Sequence, residues 1–195
     1  MGKIKSALEI ALERTESVKS DKGSIEQFEL KQKGKKLANG FLGGEVKSLE
    51  DEFKNISKEE QASLKHGIFD VLISQINLPT VKEDLTRIER AGQGLSLIIG
   101  NKSFAEMIKQ LSQVMTQFLD EASNYSEALK RQYAPKLRHK EEELSRRLGR
   151  QVKLEPFQDP EFAAFYNQNM SVLKENYQAA SDQVKEEAIR LFETK

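Results

Sequence analysis

The sequence predicts an all-α fold, with a small helical body over about residues 1–103 and a long antiparallel helical hairpin over about residues 104–194. Three observations carry that prediction. Apolar residues recur at steps of three and four along most of the chain, which is the helix period. Proline occurs only 4 times in 195 residues, and side chains able to cap a helix stand where the apolar runs begin. Two heptad-spaced apolar seams flank a break at Gly149.

The body reads as two parts, an N-terminal set of short amphipathic helices over residues 1–56 and a helix pair over 57–103. Ile4, Leu8, Ala11 and Val18 share one helical face, so residues 3–18 form a first helix. Gly23 and the Ser24-to-Gln27 spacing of a capping box restart the chain. Ile25, Phe28, Leu37 and Phe41 give a second helix, with a weak apolar pattern through Lys31-Gln32-Lys33-Gly34-Lys35-Lys36 and a stop at Gly43-Gly44. Val46, Leu49, Phe53 and Ile56 make a short third. Ser57 with Glu60 opens the next helix, whose Leu64, Ile68, Val71, Leu72 and Ile76 form a broad apolar face. Pro79 ends it, and Thr80 with Glu83 caps its successor, which carries Val81, Leu85, Ile88, Leu95 and Ile99. Gly92 and Gly94 lie inside that helix at about 1 kcal/mol each, so the spacing calls for a tight contact or a local break there.

Residues 104–195 form the hairpin. Ser103 with Glu106 caps its first arm, and Phe104, Ile108, Leu111, Met115, Phe118, Ala122, Tyr125 and Leu129 alternate steps of four and three. The phase continues through Tyr133, Leu137, Leu144 and Leu148, with Pro135 removing one backbone donor. Gly149 closes the arm. Asp159-Pro160 starts the second arm with an N-cap and a first-turn proline. Phe162, Tyr166, Leu173, Tyr177, Ala180, Val184, Ala188 and Leu191 are its seam. A connector of about ten residues, 149–158, then forms the tip, placing Leu148 near Phe162 and Leu191 near Phe118. Phe104 to Met115 are left to pack on residues 57–100.

Composition narrows the function classes. Hydrophobic residues make up 37% of the chain and charged ones 32%, enough for narrow apolar stripes on long helices and too little for a thick core. The 31 basic and 31 acidic residues cancel, so any case for nucleic acid or an anionic membrane must be local. Cysteine is absent, which excludes disulfides, thiolate nucleophiles and cysteine-rich metal sites. No run approaches the roughly 20 apolar residues of a membrane span. The opening residues are no secretory signal, because Glu9, Glu13 and Arg14 interrupt their apolar positions. Met1-Gly2 with Ser6 fits the myristoylation pattern, a short motif that also arises by coincidence. The expected location is the cytoplasm.

Catalytic, cofactor and metal constellations are missing, so the expectation is a protein that is not an enzyme and takes no cofactor. Only His66 and His139 occur, neither in a Glu-x-x-His spacing. His139 and Glu143 lie one turn apart beside Arg138 and Lys140, and two ligands do not make a metal site. There is no Gly-x-Ser-x-Gly elbow, and the glycines at 40–44 and 92–94 follow no strand and precede no Gly-Lys-Ser/Thr.

The surface with the strongest pattern is the far end of the hairpin. Lys130, Arg131, Lys136, Arg138, Lys140, Arg146, Arg147, Arg150 and Lys153 face only Glu127, Glu141, Glu142 and Glu143 in that stretch. Arg146, Arg147, Arg150, Val152, Lys153, Leu154 and Phe157 are the candidate partner-binding residues, since cations beside apolar groups grip an acidic protein or a phosphate backbone. The competing explanation is that the charges solvate a projecting hairpin while the apolar residues close its end. The expected function is a non-enzymatic interaction or scaffold protein, binding another protein or a second copy of itself. A ribosome- or RNA-associated factor using the basic end is the alternative.

The opening IKSALEIALERTESVKSDK, followed by EQFELKQKGKKLANGFL, resembles an uncharacterised family of small bacterial cytoplasmic proteins; the resemblance covers about the first forty residues and, more weakly, EELSRRLGR. It implies a helical fold and a bacterial origin, and carries no site residues over.

Overall fold

The computed structural model describes residues 7–54 and 56–194, and for residues 7–22, 58 and 59 the backbone alone. The Met1-Gly2/Ser6 pattern and Ile4, with the side chains of Leu8, Ala11 and Val18, lie outside what is described. The fold is all-α, with six α-helices and no strand among the described residues: α1 Ala7–Gly43, α2 Leu49–Phe53, α3 Lys58–Ile73, α4 Lys82–Ile99, α5 Lys102–Leu148 and α6 Pro160–Glu193, with a single 3-10 turn at Pro156–Gln158. No helix among the described residues is long and apolar enough to cross a membrane. The chain divides into two compact units. One comprises the chain up to Gln75 with Arg90–Gly100, and the other Ile76–Glu89 with the chain from Asn101 onward.

The first unit corrects the expected string of short N-terminal helices. Residues 7–43 are one continuous helix, and the break at Gly23 does not occur. A helical glycine costs only about 1 kcal/mol. Nothing lies within 4 Å of where a Gly23 Cβ would be, so no tertiary contact adds to that cost. The break at Gly43-Gly44 is real: Gly44 adopts φ +85, and Arg90 Nη1 donates to the Leu42 carbonyl at 3.0 Å, placing a cation on the exposed end of α1. The expected third helix shortens to five residues, Leu49–Phe53, with Ser48 as its cap.

The lysine-rich stretch with the weak apolar pattern turns out to be where α1 meets α3. A Cβ on Gly34 would stand 2.2 Å from the Leu64 carbonyl oxygen, and one on Gly67 2.0 Å from that of Lys31. Backbone therefore lies directly on backbone, and no side chain is needed to close this contact. Lys31 Nζ adds an ion pair with Asp70 at 2.9 Å. Ala38, Leu42, Leu49, Leu64, Ile68, Leu72, Leu95 and Ile99 are buried in this unit. Gly94 resolves the question raised by the glycines of α4: the helix is unbroken, and Leu72, Phe41 and Leu49 crowd the site a Cβ would take. Ser57 and Glu60 form the expected capping box. At the start of α4 the partner of Thr80 is Asp84 rather than Glu83, accepting from the Thr80 amide at 2.7 Å and hydroxyl at 2.8 Å.

In the second unit α5 and α6 form an antiparallel pair. The Phe118 ring packs tilted against Tyr177 and the Tyr133 ring edge-on against Phe162, each with centroids 5.2 Å apart. Between them Phe118, Leu129, Met170 and Leu173 make a buried cluster, with Leu78, Ala122, Tyr125, Tyr166 and Tyr177 against it. Asn101, rather than Ser103, caps α5, accepting from Phe104 N at 3.2 Å.

The register differs from the expected one. Phe162 meets Tyr133 instead of Leu148, and Phe118 meets Tyr177 instead of Leu191, a slide of about two heptads. A heptad seam repeats every seven residues, so such a slide keeps both apolar stripes facing and the periodicity alone cannot exclude it. Carried on by heptads, that register brings Val184 and Leu191 level with Leu111 and Phe104.

Candidate interaction surface

The slide leaves the last turns of α5, beyond Tyr133, without a helical partner. The connector takes that place: it does not bridge two helix ends but folds back along α5. Gly149, at φ +64, ends the helix in the left-handed conformation that favours glycine. Ser145 Oγ then accepts from Val152 N, and Glu141 Oε1 from Leu154 N, both at 2.8 Å. Four residues of helix rise about 6 Å. Two residues of extended chain span about 6.6 Å. The two acceptors are therefore spaced to hold alternate N–H groups of an extended segment.

The fold-back is pinned by a polar cluster that sequence reading missed. Asp159, buried at 4% exposure, caps α6 by accepting from Glu161 N at 3.1 Å. The same carboxylate accepts from Lys140 Nζ at 2.8 and 2.9 Å and from the Tyr133 hydroxyl at 2.9 Å. Glu161 Oε2 takes Lys140 at 2.6 Å and Lys136 at 2.9 Å. Burial works against the charge on Asp159, but the Lys140 ammonium, the Tyr133 hydroxyl and the Glu161 N–H outweigh it and hold the carboxyl below its ordinary value. Hydrogen bonds from Lys140 and Lys136 lower Glu161 to about 2. Asp159 and Glu161 push the Lys140 ammonium upward, and burial followed by the bond to Asp159 raises the Tyr133 hydroxyl. The group is a structural clamp, with every member committed. The signal for it was a tyrosine and two lysines on the inner face of α5 at 133, 136 and 140, where a seam should carry apolar residues.

The candidate partner-binding residues fall on both sides of the connector. Arg147 and Leu154 line a groove with Lys140, Glu143, Leu144, Gln158, Asp159 and Pro160. Arg146, Val152 and Lys153 line a second with Arg138, Glu141, Glu142, Ser145 and Gln151. Val152 and Leu154 are half-buried; Arg146, Arg147, Arg150 and Lys153 are exposed. Phe157 stands apart from the arginines, its ring 5.0 Å from both Phe162 and Tyr166, and is 55% exposed. Leu148, expected inside the seam, is 56% exposed.

Lys130, Lys136 and Lys140 are committed to ion pairs with Glu127, Glu161 and Asp159. Arg146, Arg147, Arg150 and Lys153 enter no ion pair among the described residues. His139 Nδ1 lies 3.9 Å from Glu143 Oε1 in the open, and no cluster of three metal-ligating side chains occurs among the described residues.

No curated protein and no solved structure matches the chain. The profile of a family without an established function covers residues 50–190, the greater part of the chain, and leaves out the opening residues on which the resemblance to a bacterial family rests. The whole of α1 therefore lies outside the match, while the whole of the connector and its clamp lies inside it. On that coverage the chain belongs to the family of unknown function DUF6657.

Proposed function

We propose that the chain is a non-enzymatic interaction protein of the cytoplasm that docks an acidic surface of another protein on the basic end of α5. The observation that carries this reading is the division of labour among the cations. The lysines nearest the clamp are consumed by it, while Arg146, Arg147, Arg150 and Lys153 stay exposed with no ion pair among the described residues. Exposed arginines beside half-buried Val152 and Leu154 offer planar donors next to apolar surface, the combination that recognises carboxylates on a protein. Glu141, Glu142 and Glu143 stand just before them on α5, which disfavours a continuous phosphate backbone as the partner.

The test compares the native chain with the triple variant Arg146→Glu, Arg147→Glu, Arg150→Glu in capture from native cytoplasm, with and without nuclease. A partner that survives nuclease and is lost from the triple variant supports the reading. Retention by the triple variant overturns it. Loss on nuclease treatment, with steep salt dependence, transfers the surface to the RNA-associated alternative.

A further inference from the structure

The connector has a second edge. In an extended segment the N–H and C=O of successive residues point to opposite sides. Val152 and Leu154 turn theirs towards α5, where Ser145 and Glu141 hold the amides. Gln151 and Lys153 therefore turn theirs away, and neither their amides nor their carbonyls form a hydrogen bond among the described residues. The burial pattern follows the same alternation, with Val152, Leu154 and Pro156 half-buried and Gln151, Lys153 and Glu155 exposed. The connector is thus a short extended segment, held by α5 along one edge and unbonded at Gln151 and Lys153 on the other. Open strand edges are templates for pairing with another chain. Arg146, Arg150 and Lys153 surround this one with positive charge.

We propose that the free edge of Gln151–Lys153 receives an extended acidic segment of the partner as an added strand, Gln151 and Lys153 supplying the backbone hydrogen bonds and the arginines the charge selection. This rests on the reading of the basic end as a docking surface, and adds to it the conformation of what docks.

A labelled peptide of alternating glutamate and valine is the probe, with binding followed by fluorescence polarisation at low ionic strength. The native chain is expected to bind it. Lys153→Ala removes the charge and keeps the N–H, and weakens binding by about threefold; Lys153→Pro also removes the N–H and weakens it by about tenfold or more. The same peptide N-methylated on alternate residues has identical charge and does not bind, a readout independent of how the variants fold. Equal losses for the alanine and proline variants, or undiminished binding of the methylated peptide, would overturn strand addition and leave charge-based docking standing. Undiminished binding by the Arg146/Arg147/Arg150 triple variant overturns the docking surface itself. Failure of the native chain to bind the peptide, with an RNA homopolymer bound in its place, overturns both.

Discussion

Where α1 meets α3, glycine lies on backbone; where α5 meets α6, aromatic rings interdigitate and hydroxyls reach across. The first contact is set by backbone, since Gly34 and Gly67 bring the two helices so close that a methyl group on either would overlap a carbonyl oxygen. The second uses all four tyrosines of the chain. Tyr125 donates to Asn169 at 3.2 Å, Tyr166 to Ser126 at 3.1 Å, Tyr133 to Asp159 at 2.9 Å, and Tyr177 to Glu121. The contrast shows two ways of choosing one arrangement among many. Backbone contact is selective by exclusion, because only the glycine positions permit the approach. A heptad seam permits every slide by seven, and the tyrosine bonds remove that degeneracy, because each needs its acceptor at one register.

The comparison breaks most sharply at Gly67. Gly67→Ala places a Cβ 2.0 Å from the Lys31 carbonyl, an atom that cannot rotate away. The expected loss reaches or exceeds the roughly 1–3 kcal/mol of ordinary overpacking. The gain of about 1 kcal/mol in helix propensity does not offset it. Amide hydrogen exchange should accelerate along α1 and α3 while α5 and α6 keep their protection. Unchanged protection of α3 would show that the helices do not touch through glycine.

The clamp is the corresponding point in the other unit, with a smaller effect. Asp159→Ala removes the cap of α6, worth about 1 kcal/mol. It also takes the shared acceptor from Tyr133 and Lys140, though Glu161 remains within 3.3 Å of Tyr133 and 2.6 Å of Lys140. The total expected is about 2 kcal/mol, moderated by the partial exposure of Lys140. Asp159→Asn keeps the cap and should lose less. Thermal unfolding of the two variants separates these contributions; equal losses would mean that the cap contributes nothing and the charge carries the whole effect.

Acid should act on the same clamp. Asp159 and Glu161 both titrate lower in the folded chain than when unfolded, so their contribution is complete above the unfolded values and is lost as pH falls through the folded ones. Glu161 moves from 4.5 to about 2, which sets the window. Unfolding followed across that range should show stability falling with pH in the native chain and a shallower fall in the double variant Asp159→Asn, Glu161→Gln. Parallel curves would remove the clamp from the account.

What the sequence made legible were local signals. Ser57 with Glu60, Asp159-Pro160 and Gly149 end or start helices where their chemistry says they should, because caps and left-handed turns are decided within a few residues. The apolar phase of α5 and α6 was equally plain. The seating of Gly34 on Leu64 and of Gly67 on Lys31 was not, since a helical glycine carries no local mark of the backbone it will face. Nor was the register, because the hydroxyl acceptors Asn169, Ser126 and Glu121 sit at positions that look like ordinary polar surface. For the candidate surface, the arginines were legible as a charge excess. Their distribution over two grooves depended on the fold-back, and Phe157 went to the aromatic cluster for the same reason.

Gly149 sharpens the contrast from the opposite side. It resembles Gly67 in being a glycine at a structural junction, yet the physical demand is reversed. Gly67 is helical and has no room for a Cβ; Gly149 sits at φ +64 with nothing within 4 Å of where a Cβ would be. Gly149→Ala therefore meets only the conformational penalty of the left-handed region, about 1 kcal/mol. The clamp at Asp159 and the amide contacts of Val152 and Leu154 hold the connector from beyond that point, so the fold-back should persist. Gly149→Asn, which tolerates the same backbone region, should lose less still. Hydrogen exchange at Val152 and Leu154 reports the outcome directly. Protection retained in both variants locates the hold on the connector in Ser145, Glu141 and the clamp, whereas protection lost in the alanine variant would make the turn at Gly149 the element that aims the connector.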